Sequence, residues 1–91
     1  MQVDYEETQG FRIVQARTEA GYPTAASFAR DVGCGESQLW KYENNRRKPG
    51  PEILARMSEL TPRSVYWIIT GRERGDAPSY AERAPTSPEA A

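Results

Sequence analysis

Residues 25–44 read AASFARDVGCGESQLWKYEN and lead, past Asn45, into the basic run Arg46-Arg47-Lys48. This stretch has the steric pattern of two short helices crossing through a sharp turn. Phe28, Ala29 and Val32 give the first an apolar face. Leu39 and Tyr42 give the second one at i, i+3 spacing. Ala29 is the small residue that lets the two helices approach closely. Gly33 sits where the turn needs positive φ, which glycine alone adopts without steric cost. This is the spacing of a helix-turn-helix, and a second helix so presented can enter a DNA major groove.

Working outward, residues 1–9 are polar and predict a frayed N-terminal extension, and the domain is expected over 10–71. A first helix is expected from Gln9 to Ala20, with Ile13, Ala16 and Ala20 along one face. Gly21 is placed to end it, Tyr22 and Pro23 form the link, and Thr24 is a good N-cap for a helix over 25–32. The turn Gly33-Cys34-Gly35 precedes a third helix from Glu36 to Asn44, and Asn44-Asn45 suits a helix exit. Pro51 suits the first turn of a fourth helix reaching Leu60, with Ile53, Leu54, Met57 and Leu60 as its apolar stripe. A fifth starts near Thr61-Pro62 or at Ser64 and ends at Thr70 before Gly71. It directs Val65, Ile68 and Ile69 inward. Tyr66 and Trp67 are too many aromatics for one buried face, so one of them is expected to meet solvent or a partner. From Arg72 the composition turns to Pro, Ala, Ser and charge. Residues 72–91 are therefore expected to be a mostly disordered tail, either a solvated terminus or a contact for another protein. The expected fold class is all-α, a compact five-helix domain.

Composition narrows the chemistry. Ninety-one residues allow one small domain, with no room for a separate effector or oligomerisation domain. The net charge is −1, but it is unevenly spread. Asp4, Glu6 and Glu7 crowd the start. Lys41, Arg46, Arg47 and Lys48 outnumber Glu36 and Glu43 across 32–50. Such a local basic edge is enough to meet phosphates, although the same run standing alone would read as a solvated loop. The chain has no histidine and one cysteine. That removes the commonest general base and any zinc site. It also excludes an internal disulfide, in keeping with a reducing compartment. Cys34 reads as a small, partly buried apolar residue rather than a reactive thiol. Gly33-Cys34-Gly35 lacks the Lys-Ser/Thr of a phosphate loop. Asp31 and Glu36 are carboxylates on short helices without a cleft, so a solvated face explains them better than acid–base catalysis. No cofactor, metal or enzymatic activity is expected. No apolar run approaches the ~18 residues of a membrane span, and an acidic start is wrong for a secretory signal, so a cytoplasmic location is expected.

The segment from Arg12 to Gly71, about two thirds of the chain, resembles the lambda repressor-like helix-turn-helix domain of the Cro/CI (XRE) type. The carrying residues are Arg12-Ile13, Arg17 and Ala20-Gly21, then Phe28-Ala29 and Val32-Gly33. Leu39, Tyr42-Glu43-Asn44, Arg46 to Pro49 and Trp67-Ile68-Ile69-Thr70-Gly71 complete the series. The resemblance implies five helices and, as function, binding of operator DNA as a homodimer by a phage or bacterial repressor. It places Glu36, Ser37, Gln38 and Lys41 toward base edges. Lys41 suits guanine O6 or N7, Glu36 cytosine N4, and Ser37 either. Glu36 also suits a helix N-terminus through the macrodipole alone. The resemblance places Thr24, Ser27, Trp40, Asn44, Arg46, Arg47 and Lys48 along the DNA backbone.

Three features depart from the family pattern. Ala25 stands where many members carry a glutamine, Pro23 lengthens the link by one residue, and Trp40 replaces a small or polar residue. Trp40 has four possible surroundings: the sugar–phosphate backbone, a thymine methyl, a second subunit, or partial burial against the first or second helix. The dimer surface is expected on the fifth helix through Tyr66, Trp67 and Ile69. The rival reading is a protein-interaction module, with a toxin or anti-repressor as the main partner and residues 72–91 as the binding segment.

Overall fold

The computed structural model describes residues 4–73. Among them the fold is all-α, with five helices and no strand: α1 Gln9–Glu19, α2 Ala25–Val32, α3 Glu36–Glu43, α4 Pro51–Leu60 and α5 Val65–Thr70. Their limits follow from local chemistry. The Thr24 hydroxyl accepts from Ser27 N at 3.1 Å and opens α2. At the far end of α2, the amides of Gly33 and Cys34 both donate to the Ala29 carbonyl, at 2.9 and 3.0 Å. Gly33 reaches this geometry at φ 94°, in the left-handed region expected of a glycine stop. Ser64, rather than Thr61-Pro62, starts α5, its hydroxyl accepting from Trp67 N at 3.0 Å. α1 stops one residue short of expectation, with Ala20 as its C-cap. α3 likewise ends at Glu43, with Asn44 as its cap.

α1 packs against α3 and α5, α2 against α3 and α4, and α4 against α5. The centre is Ile13, Phe28, Leu39, Met57 and Ile68, all essentially fully buried. Each such side chain contributes about 1.5–3 kcal/mol by leaving water. Ala29, 2 % exposed, is part of the core on the buried side of α2, which packs against α3 and α4. Ile53, Leu60 and Val65 close the edges of the core, and Tyr22 packs edge-on to Phe28 at 4.9 Å. Cys34 is half-buried, and burial raises its thiol pKa, with Glu43 adding to the rise.

Two expectations are corrected. The start of the chain is not frayed over its described part, because Tyr5–Glu7 forms a 3-10 turn that packs on α1. Ile69 does not point inward; it is 46 % exposed, since the short α5 turns Trp67 and Ile68 into the core instead. At the edge of the described residues, Glu73 accepts from the Arg63 guanidinium at 2.9 Å. Residues 74–91, where the disordered tail was expected, lie outside the described residues, as do residues 1–3. Among the described residues no helix is long and apolar enough to cross a membrane.

Candidate nucleic-acid interface

α3 is two-faced. Leu39, Tyr42 and Glu43 are buried, whereas Glu36, Ser37, Trp40, Lys41 and Asn44 are exposed. At about 100° per residue, Ser37 and Asn44 share the middle of the outer face, with Glu36 and Trp40 on one flank and Lys41 on the other. Gln38 turns aside. It is half-buried, and among the described residues its Oε1 is shut from solvent without a hydrogen-bond partner. Gly35 caps α3 without a side chain, and Glu36 in the first turn meets the positive end of the helix dipole.

Beyond α3 the chain turns sharply. Asn45 takes φ 61°, and Arg46 N returns to the Lys41 carbonyl at 2.8 Å. Arg46, Arg47 and Lys48 follow directly, all exposed, before the buried Pro49 ends the run. The Arg46 guanidinium stands 5.7 Å from the centre of the Trp40 ring. Lys41 on the outer face of α3 and the three cations that follow its C-terminal end, Arg46, Arg47 and Lys48, have no ion-pair partner among the described residues.

A clasp from the N-terminal segment fixes this exit. The Tyr5 hydroxyl donates to the Glu43 carbonyl at 2.7 Å, and the Tyr5 ring meets Phe11 edge-on. Asn45 Oδ1 accepts from Gly10 N at 2.9 Å while its Nδ2 donates to Thr8 Oγ1 at 3.0 Å. Glu43 itself, 8 % exposed, accepts from Arg17 Nε at 3.0 Å. A buried carboxylate needs such a partner, because an unpaired charge is strongly disfavoured away from water. Burial is the main cause that raises the Tyr5 hydroxyl pKa, with the Glu43 charge second. The sequence reading missed this clasp. The one available signal was an acidic residue, Glu43, four places after Leu39 on an otherwise apolar face.

The other expected site residues divide. Thr24 and Ser27 sit at the start of α2, but their hydroxyls serve the cap: Ser27 Oγ donates to the Thr24 carbonyl at 3.0 Å. Asn44 Nδ2 donates to the Trp40 carbonyl at 2.9 Å and closes α3. Trp40 is 54 % exposed, so about half of its surface faces solvent. On α5 the three expected dimer residues are not equivalent. Trp67 is 8 % exposed, with the Arg63 guanidinium 4.0 Å over its ring, so it belongs to the core and not to a surface. Tyr66 is half-buried and Ile69 exposed. Arg12 closes the end of α5 by donating to the Ile68 and Ile69 carbonyls, both at 2.8 Å.

No known family, curated protein or solved structure matches the chain.

Proposed function

We propose that this chain is a sequence-specific DNA-binding transcriptional regulator of the lambda repressor-like kind. In this reading it is a bacterial or phage repressor that works in the cytoplasm as a homodimer on a near-palindromic operator. One observation carries the proposal: the outer face of α3 runs without a break into an exposed cationic exit that has no acidic partner among the described residues. A helix so bordered suits a groove walled by phosphates.

In this mechanism α3 lies in the major groove. Lys41 donates to guanine O6 or N7, Glu36 accepts from cytosine N4, and Ser37 reaches either kind of group. Gln38, half-buried, contributes only after its amide swings out. Arg46, Arg47 and Lys48 hold phosphates, with Asn44, Thr24 and Ser27 at the edges of the contact; these residues set affinity and register rather than sequence. The N-terminal clasp holds the exit turn in place, so the cations meet the backbone without first being ordered. Two subunits joined through Tyr66 and Ile69 would set their α3 helices about 34 Å apart, one helical turn of DNA.

A gel-shift assay on the DNA upstream of the chain's own gene tests this reading. Specific binding that weakens steeply with salt is expected. Arg46→Ala together with Arg47→Ala should weaken binding to all sequences alike and reduce the salt slope by about two. Lys41→Ala should instead change the sequence preferred. Binding that neither change affects would refute the contact assignment.

The rival reading, a protein-interaction module, draws on the exposed Glu36 and Trp40 on one flank of α3. It predicts no specific DNA binding in the same assay.

A further inference from the structure

Trp40 is the largest apolar group on the outer face of α3, and 54 % of it lies open to water. It stands one turn after Glu36 and Ser37 on the exposed face rather than at a helix end. Arg46 covers part of its ring at 5.7 Å, and Lys41, Arg47 and Lys48 are exposed nearby in sequence without ion-pair partners among the described residues. An exposed indole with one guanidinium over it, beside an exposed cationic exit, calls for an occupant that is both anionic and locally apolar. Duplex DNA offers that combination in the major groove, where the thymine C5-methyl is the only apolar group on the base edges and phosphates line both walls.

We infer that Trp40 is a thymine-reading residue whose indole packs against the C5-methyl of one thymine in each half-site, while Arg46, stacked on the ring, reaches the adjacent phosphate. The inference rests on the DNA-binding reading above and adds to it a specified base. Trp40 reads by apolar contact, and the polar side chains Glu36, Ser37 and Lys41 read by hydrogen bonding. The Arg46 guanidinium, 5.7 Å from the ring centre, already sets a cation beside the face of Trp40. Covering one methyl is worth about fourfold in affinity.

The test uses the full chain and a site enriched by it from a random duplex pool. Each thymine of that site is replaced in turn by deoxyuridine, which removes the methyl and nothing else. For the wild-type chain, one thymine per half-site should show an affinity loss of about fourfold. Trp40→Ala should bind the thymine and uracil forms of that site equally, whereas Trp40→Phe should keep most of the difference. Far-UV circular dichroism confirms that both variants are folded, as expected for an exposed position. A wild-type chain indifferent to every replacement, or a Trp40→Ala variant that loses as much as wild type, overturns the inference and leaves the DNA-binding reading standing. A pool from which no sequence is enriched overturns the DNA-binding reading and the inference with it.

Discussion

A glycine in a helix is ordinarily a weak point, and replacing it with alanine stabilises a helix interior by up to about 1 kcal/mol. Gly10, the second residue of α1, should show the opposite sign. A Cβ built there would lie 2.8 Å from the Glu43 carbonyl carbon and 2.9 Å from Asn45 Oδ1, with the Glu43 carbonyl oxygen nearer still. Two of those atoms are backbone and cannot rotate away. Relief requires α1 to move off the end of α3, which strains both the Tyr5–Glu43 bond and the Gly10–Asn45 bond. Overpacking of this kind costs about 1–3 kcal/mol, and each strained hydrogen bond adds up to about 1 kcal/mol. The helix-propensity gain is smaller at a helix start than in its interior, so Gly10→Ala should destabilise the domain by about 2 kcal/mol. Urea unfolding followed by far-UV circular dichroism measures this. With a slope of about 1–1.5 kcal/mol/M, the midpoint should fall by about 1.5 M. Asn45→Gly keeps the left-handed turn at φ 61° and removes one of the crowding atoms. Combined with Gly10→Ala, it should cost less than the two changes added together. A Gly10→Ala variant as stable as wild type, or more stable, would show that α1 and α3 do not meet as closely as described.

Two further changes probe the ion pairs. Glu43→Gln leaves the Arg17 guanidinium without its counter-charge at a site where the two side chains are 16 % and 10 % exposed. The loss should be about 2–3 kcal/mol, below that of a fully buried pair, and it should shrink when Arg17→Met is already present; a Glu43→Gln variant within about 0.5 kcal/mol of wild type contradicts a coupled pair. Glu19 is held below its ordinary pKa of 4.5, first by its hydrogen bonds from Arg63. Its contribution should therefore be complete above pH 4.5 and fade as pH falls through its lower folded value. Because the pair lies at the surface, with side chains 25 % and 32 % exposed, solvent screens it and the effect is small, and the pH dependence of the urea midpoint should flatten below pH 4.5 in Glu19→Gln. An unchanged profile in that variant would mean that the Glu19–Arg63 contact adds nothing in solution.

How much could be read beforehand differs element by element. The α2–turn–α3 unit was legible because every decisive interaction is short in sequence. Thr24 caps three residues on, Gly33 closes onto Ala29, and the apolar faces repeat at helical spacing. The outer face of α3 followed from the same periodicity, since whatever is not on the Leu39–Tyr42 side must face out. The N-terminal clasp was not legible. Its bonds join residues 38 and 35 positions apart, and nothing local in Asp4-Tyr5-Glu6-Glu7 marks Tyr5 for the end of α3. α5 was misread for a related reason. A six-residue helix holds fewer than two turns, so its periodicity cannot decide between Trp67 and Ile69 as the buried residue. The neighbours decide: Arg63 covers Trp67 from outside while Arg12 holds the carbonyls at the end of α5.

By itself the amino-acid sequence determined the helical class, the five segments and the glycine and asparagine turns between them, because propensity, capping and steric freedom act over a few residues. It also determined that the basic run leaves α3 at its C-terminal end. Only the tertiary structure decided that Trp40 stays open to water, that Glu43 is buried on Arg17, and that residues 5–10 brace the turn carrying the cations. Those outcomes depend on which surfaces α1 places against α3, and that contact is made across stretches of chain whose local sequence carries no record of it.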